Sequence, residues 1–94
     1  MKKEALMDPM YRLHYLQSVD DQQYHKDSAK SYRRDYELKE RQEIFEALEW
    51  AMENPNYDFK SFPTYEDVRH TNAEIFRFLK GFYEFNKENK LNEY

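Results

Sequence analysis

Apolar positions in this chain recur at helical spacing. Met10, Leu13, Leu16 and Val19 advance three residues at a time, with Tyr11 and Tyr15 beside them. Asp8-Pro9 stands just ahead of the stripe. Aspartate accepts from the free N–H groups of a first turn, and the missing N–H of proline costs nothing there, so a first helix is predicted to begin at this dipeptide. It weakens at Asp20-Asp21, where acids meet the negative end of the helix dipole, and resumes or persists through Tyr24. A second, stronger helix is predicted from a cap at Ser28 or Ser31 to about Glu53. Leu38, Phe45 and Met52 are seven residues apart, with Ile44, Leu48 and Ala51 beside them. Asp35/Lys39, Glu37/Arg41 and Lys39/Glu43 are i,i+4 pairs of opposite charge on that helix. Asn54-Pro55 ends it, because the residue before proline avoids the helical region.

Residues 55–63 form a loop that carries three rings, Tyr57, Phe59 and Phe62. A solvated loop has no need of them, so they are expected to fold back over the core. Thr64-Tyr65-Glu66-Asp67 resembles a short helix start. Thr71-Asn72-Ala73-Glu74 is a capping box that opens a last helix through Ile75, Phe76, Phe78, Leu79, Phe82, Tyr83 and Phe85. Its apolar face is wide, as for a central helix or one that meets a partner on one flank. Gly81 lies inside it and permits close approach of another helix. The prediction is all-α, a small antiparallel helical bundle of three to four helices forming one domain over 1–94. Residues 1–7 and 87–94 are expected to fray.

Composition changes the picture of the core. Seven leucines, two isoleucines and two valines stand against nine tyrosines, seven phenylalanines and one tryptophan in 94 residues. So few aliphatics border on a disordered composition, and rings at core spacing compensate because each buries more area. The absence of cysteine excludes a disulfide framework and a Cys-based metal site, and it fits a reducing, cytoplasmic setting. No apolar run approaches a membrane span or a signal peptide.

Catalytic chemistry finds little support. His14, His25 and His70 make only Asp21/His25 and Glu66/His70 pairs at i,i+4, short of any metal motif, so the histidines read as solvated. Ser18, Ser28, Ser31 and Ser61 lie in no glycine-flanked elbow, and one glycine cannot make a phosphate-cradling loop. The chain is therefore expected to be non-enzymatic, with no cofactor and no metal.

Two surfaces are candidates for binding. Lys26, Lys30, Arg33, Arg34, Lys39 and Arg41 form a basic run interleaved with Tyr32 and Tyr36, the vocabulary of a single-strand binder. Asp27, Asp35, Glu37 and Glu40 neutralise most of it, and the whole chain carries a net charge of −4. The stronger candidate is acidic. Residues 43–58 hold Glu43, Glu46, Glu49, Glu53 and Asp58 with no base. Glu46, Glu49 and Glu53 share one helix face, and Trp50 lies about 40° from Glu46. Trp50 either packs on a neighbouring helix or the 57–62 loop, or is presented to a partner, where tryptophan anchors and acids steer a basic surface. The candidate partner-binding residues are Glu46, Glu49, Trp50, Glu53, Tyr57 and Asp58. In kind alone, with no shared motif, a short acidic helical protein with exposed rings resembles the immunity proteins that neutralise nuclease bacteriocins, or phage-encoded inhibitors of host defence. That likeness implies a non-enzymatic inhibitor of a protein partner with a basic surface. A nucleic-acid-associated regulator, and a self-associating accessory protein that uses the wide face of the last helix, are the alternatives. No membrane partner is expected.

Overall fold

Thr71 opens the last helix by the expected device. Its hydroxyl accepts the Glu74 N–H at 3.1 Å, and the Glu74 carboxylate accepts the Thr71 N–H at 2.9 Å. These bonds from Thr71, backbone first, hold the Glu74 carboxyl below its ordinary value, and His70 and Arg77 add to the lowering. The computed structural model describes residues 2–11, 31–62 and 70–93, and every regular element among them is helical. A 3-10 turn at Lys3–Leu6 runs into α1 (Met7–Tyr11), and residues 31–35 are helical. Then come α2 (Leu38–Glu53), a 3-10 turn at Phe59–Ser61 and α3 (Asn72–Glu88). The fold is a small all-α bundle. Its long helices are antiparallel: side chains at the start of α2 bond the turn after α3, while the loop after α2 bonds Asn72 at the start of α3.

The second helix departs from its prediction at Tyr36–Glu37. Residues 31–35 are helical, with any cap at Ser28 outside the described residues, but the chain breaks at Tyr36 and restarts from Glu37, which is extended at ψ 159°. Two bonds account for the break. The Tyr36 carbonyl accepts the Arg41 Nε–H at 3.1 Å, and the Tyr36 hydroxyl donates to Asp8 at 2.7 Å. A new capping bond follows, from the Glu37 N–H to the Glu40 carboxylate at 3.3 Å. The end of the helix at Glu53 is as predicted. Its buried face is Arg41, Ile44, Ala47, Leu48 and Ala51, so Leu38, Phe45 and Met52 flank the core and Leu38 is exposed. None of the three expected i,i+4 ion pairs forms, and Asp35 pairs with Arg34 instead. Glu43 meets Lys2 at 3.6 Å, and Arg41 is only 6 % exposed.

The described residues at both chain ends take up helical or turn structure. Helical structure begins at Lys3, ahead of Asp8-Pro9, and Leu6 is fully buried. Asp8 therefore lies inside the first turn of α1 instead of capping it, and accepts from Tyr36. Beyond α3 the chain closes a Schellman motif. The Leu91 N–H donates to the Asn86 carbonyl at 3.0 Å and the Lys90 N–H to the Lys87 carbonyl at 3.2 Å. Lys90 sits at φ 52°, the left-handed position that glycine usually fills, which is why the sequence carries no visible stop signal there. Leu91 is buried as a result.

The core is built on rings, as the composition implies. Phe78 and Phe82 of α3 stack at 6.2 Å, and Tyr32 meets Phe82 edge-on at 5.7 Å. Ala47 and Ala51 of α2 are fully buried in the same cluster and leave room for those rings. The 57–62 loop folds back as expected, burying Phe59 and Phe62. Asn72 holds it from both sides: its amide accepts the Phe59 N–H at 2.7 Å and donates to the Tyr57 carbonyl at 2.8 Å. The wide face of α3 is thereby covered within the chain. Phe76 stacks on Phe59 at 6.3 Å and Tyr83 packs on Phe45 at 5.3 Å. Leu13, Leu16, Val19, Tyr24 and the 64–67 helix start lie outside the described residues.

Two stability predictions follow from these contacts. Arg41→Ala strips donors from two backbone carbonyls and should cost about 3 kcal/mol in denaturant unfolding, with Arg41→Met recovering only the packing share. Lys90→Gly should instead stabilise by about 0.5–1 kcal/mol, and Lys90→Val should destabilise, because only glycine takes positive φ without a steric penalty.

Candidate functional site

The outer face of α2 carries the predicted acids. At 100° per residue, Glu46, Glu49 and Glu53 fall opposite the buried Ile44, Leu48 and Ala51, and all three are exposed. They form a ridge with no ion pair to any described residue. Asp58 is also exposed, and its carbonyl accepts the Ser61 hydroxyl at 2.7 Å.

Trp50 and Tyr57 lie on one flank of that ridge and satisfy one another. Their rings meet edge to face at 4.9 Å, and Tyr57 continues to Phe59 at 5.4 Å. Trp50 thus packs on the 57–62 loop. The ammonium of Lys3 stands 5.0 Å from the Trp50 ring centre and 5.2 Å from that of Tyr57. A cation of the chain itself already occupies the aromatic face expected to meet a partner. Lys2 on Glu43 adds a second base to this flank. The sequence shows no base within 43–58, and the two neutralising lysines arrive from forty or more residues away.

The other flank is open. Gln42, Phe45, Glu46, Glu49 and Asn92 line a cleft of about 340 Å³. Phe45 is half-buried against Tyr83, and Lys87 stands 5.5 Å over Tyr83. The Gln42 amide donates to the Asn92 carbonyl at 3.1 Å, which closes one wall. Sequence reasoning places Glu46 and Glu49 here but misses Gln42, Phe45 and Asn92. The missing signal is the return of the C-terminal turn, which no local pattern announces.

Among the described bases of the basic run, Arg33, Arg34 and Arg41 are engaged within the chain and Lys39 is exposed. Tyr32 is 2 % exposed and packs on Tyr36 at 5.2 Å, so it offers no face to a base. Arg41 donates to the Leu91 carbonyl at 2.7 Å, and Arg33 donates to the Asn89 carbonyl. Arg34 pairs with Asp35 at 3.0 Å. Lys26 and Lys30 lie outside the described residues, as do His14, His25 and Glu66.

His70 corrects the expectation of a solvated imidazole. It is 8 % exposed, its Nδ1 lies 3.9 Å from Glu74, and its Nε2 has no hydrogen-bond partner among the described residues. The cause is its position at the edge of the core just before the α3 cap. Among the described residues, no group of three or more histidines and carboxylates gathers as a metal site would require. No described helix is long and apolar enough to cross a membrane. No family model, no curated protein and no solved structure matches this chain.

Replacing Lys3 by Met should remove the cation from the Trp50–Tyr57 face at a cost of about 0.5–1 kcal/mol. Trp50 is the only tryptophan, so its emission reports the change directly. Lys3→Met should shift that emission while Lys2→Met leaves it unmoved. Equal spectra for the two variants would contradict the assigned contact.

Proposed function

We propose that this protein is a non-enzymatic cytoplasmic binding protein that inhibits or neutralises a protein partner by covering a basic surface with the outer face of α2. The observation that carries this reading is the ridge of Glu46, Glu49 and Glu53. Three carboxylates on one exposed face lack a counter-ion among the described residues. Other charges nearby are engaged: Glu43 by Lys2, Asp35 by Arg34, Arg41 by backbone carbonyls. An unneutralised ridge on a rigid helix raises the rate of encounter with a basic partner and disfavours acidic ones, nucleic acid included.

Trp50 and Tyr57, both half-buried, support the ridge through each other and Lys3. Asp58 extends the acidic surface beyond the helix end. The burial of Tyr32 and Arg41, and the bond from the exposed Arg33 to the Asn89 carbonyl, favour a protein over nucleic acid as the partner.

The test is charge reversal. A tagged wild type and a Glu46→Lys, Glu49→Lys, Glu53→Lys variant are used on extract of the cells that make the protein. A basic protein should be recovered by the wild type, released by about 0.5 M salt, and absent from the variant. Calorimetry with that purified partner should then show a loss of at least about tenfold in affinity. Identical recovery by both proteins would overturn the proposal.

A further inference from the structure

We infer that the cleft between α2 and the C-terminal turn receives an arginine side chain of the partner, an assignment that rests on the partner-binding reading above. Phe45, Glu49, Gln42 and Glu46 succeed one another across an arc of about 100° on α2. They place an aromatic wall, an amide and two carboxylates around one opening of about 340 Å³, which Asn92 closes from the other side. That volume lies at the low end for small-molecule sites, and the cleft is open rather than enclosing, which suits one long side chain presented from outside.

Guanidinium chemistry matches each wall. Its flat face stacks on a ring, and its fork of N–H donors engages carboxylates side by side, which an ammonium does less well. Glu46 and Glu49 are free to accept, since neither has an ion pair or hydrogen bond to a described residue. Gln42 spends its N–H on Asn92 and keeps an acceptor oxygen for a donor. The chain itself shows that its aromatic faces take cations. Lys87 stands over Tyr83, the ring paired with Phe45, and Lys3 stands over Trp50 and Tyr57. Among the described residues, the Trp50 flank is filled from within, and the Phe45 ring has no cation over it.

N-acetyl-arginine amide is the probe, titrated into the isotope-labelled full chain and followed by amide chemical shifts. Saturating shifts should centre on Gln42, Phe45, Glu46, Glu49 and Asn92. The citrulline analogue, equal in shape and uncharged, should bind about tenfold more weakly, as should arginine to the Glu46→Gln, Glu49→Gln variant. Both glutamates are exposed, so this variant keeps its fold, and Glu4→Gln, at an exposed acid outside the cleft and the ridge, should leave binding unchanged. Equal affinity for the citrulline or lysine analogue, shifts centred elsewhere, or no saturation would overturn the assignment. If the probe fails while the charge-reversed variant still loses its partner, the cleft assignment falls alone. If arginine binds but charge reversal changes no recovery, the partner-binding reading falls instead.

Discussion

The last turn of an α-helix leaves carbonyl groups with no helical partner, and they must find donors or stay in water. Here the turn after α3 is brought against the start of α2, and side-chain donors meet it. Arg33 reaches the carbonyl of Asn89, Arg41 that of Leu91, and Gln42 that of Asn92. The cations among them also face the negative end of α3. Arg41 is the centre of this clamp because its Nε–H is bound to the Tyr36 carbonyl, so one buried guanidinium fixes both the break before α2 and the turn after α3. Burying a charge is costly unless its donors are satisfied. The geometry of both segments is therefore set by the needs of Arg41.

The opposite end of the helix pair is held by a neutral side chain. Asn72 accepts from Phe59 and donates to Tyr57, which seats the aromatic loop against α3. The loop in turn supports Trp50, and Lys3 covers the resulting ring pair. The two ends thus treat the flanks of α2 differently. One is closed by rings and lysines, while the other, where the Arg41 clamp brings in Asn92, keeps an opening beside the acid ridge.

This asymmetry bears on function. A uniformly acidic helix would attract basic surfaces without fixing their register. A ridge of carboxylates with one recessed site at its edge can do both, because exposed charges guide encounter and a recessed contact gives orientation. The bases suggestive of nucleic-acid binding serve in part as internal donors instead, so their number overstates the positive surface that the protein presents.

Local chemistry explains which features were legible beforehand. The Thr71 capping box, the end of α2 near Pro55 and the apolar stripe of α3 all depend on residues within a turn or two of each other. So does the shared face of Glu46, Glu49 and Glu53. Each follows from helical spacing and side-chain type alone, so the amino-acid order was sufficient for the helical class and the acid ridge. What it did not disclose depends on partners 28 to 56 residues apart, such as Tyr36 with Asp8 or Arg33 with Asn89. The break at Tyr36, the inward Arg41, the Schellman turn at a lysine, the Lys3 cation over Trp50 and the cleft at Phe45 all belong to this second group. Their side chains are compatible with several surroundings, and only the tertiary approach of distant backbone selects one, because buried polar groups must be paired wherever the packing puts them.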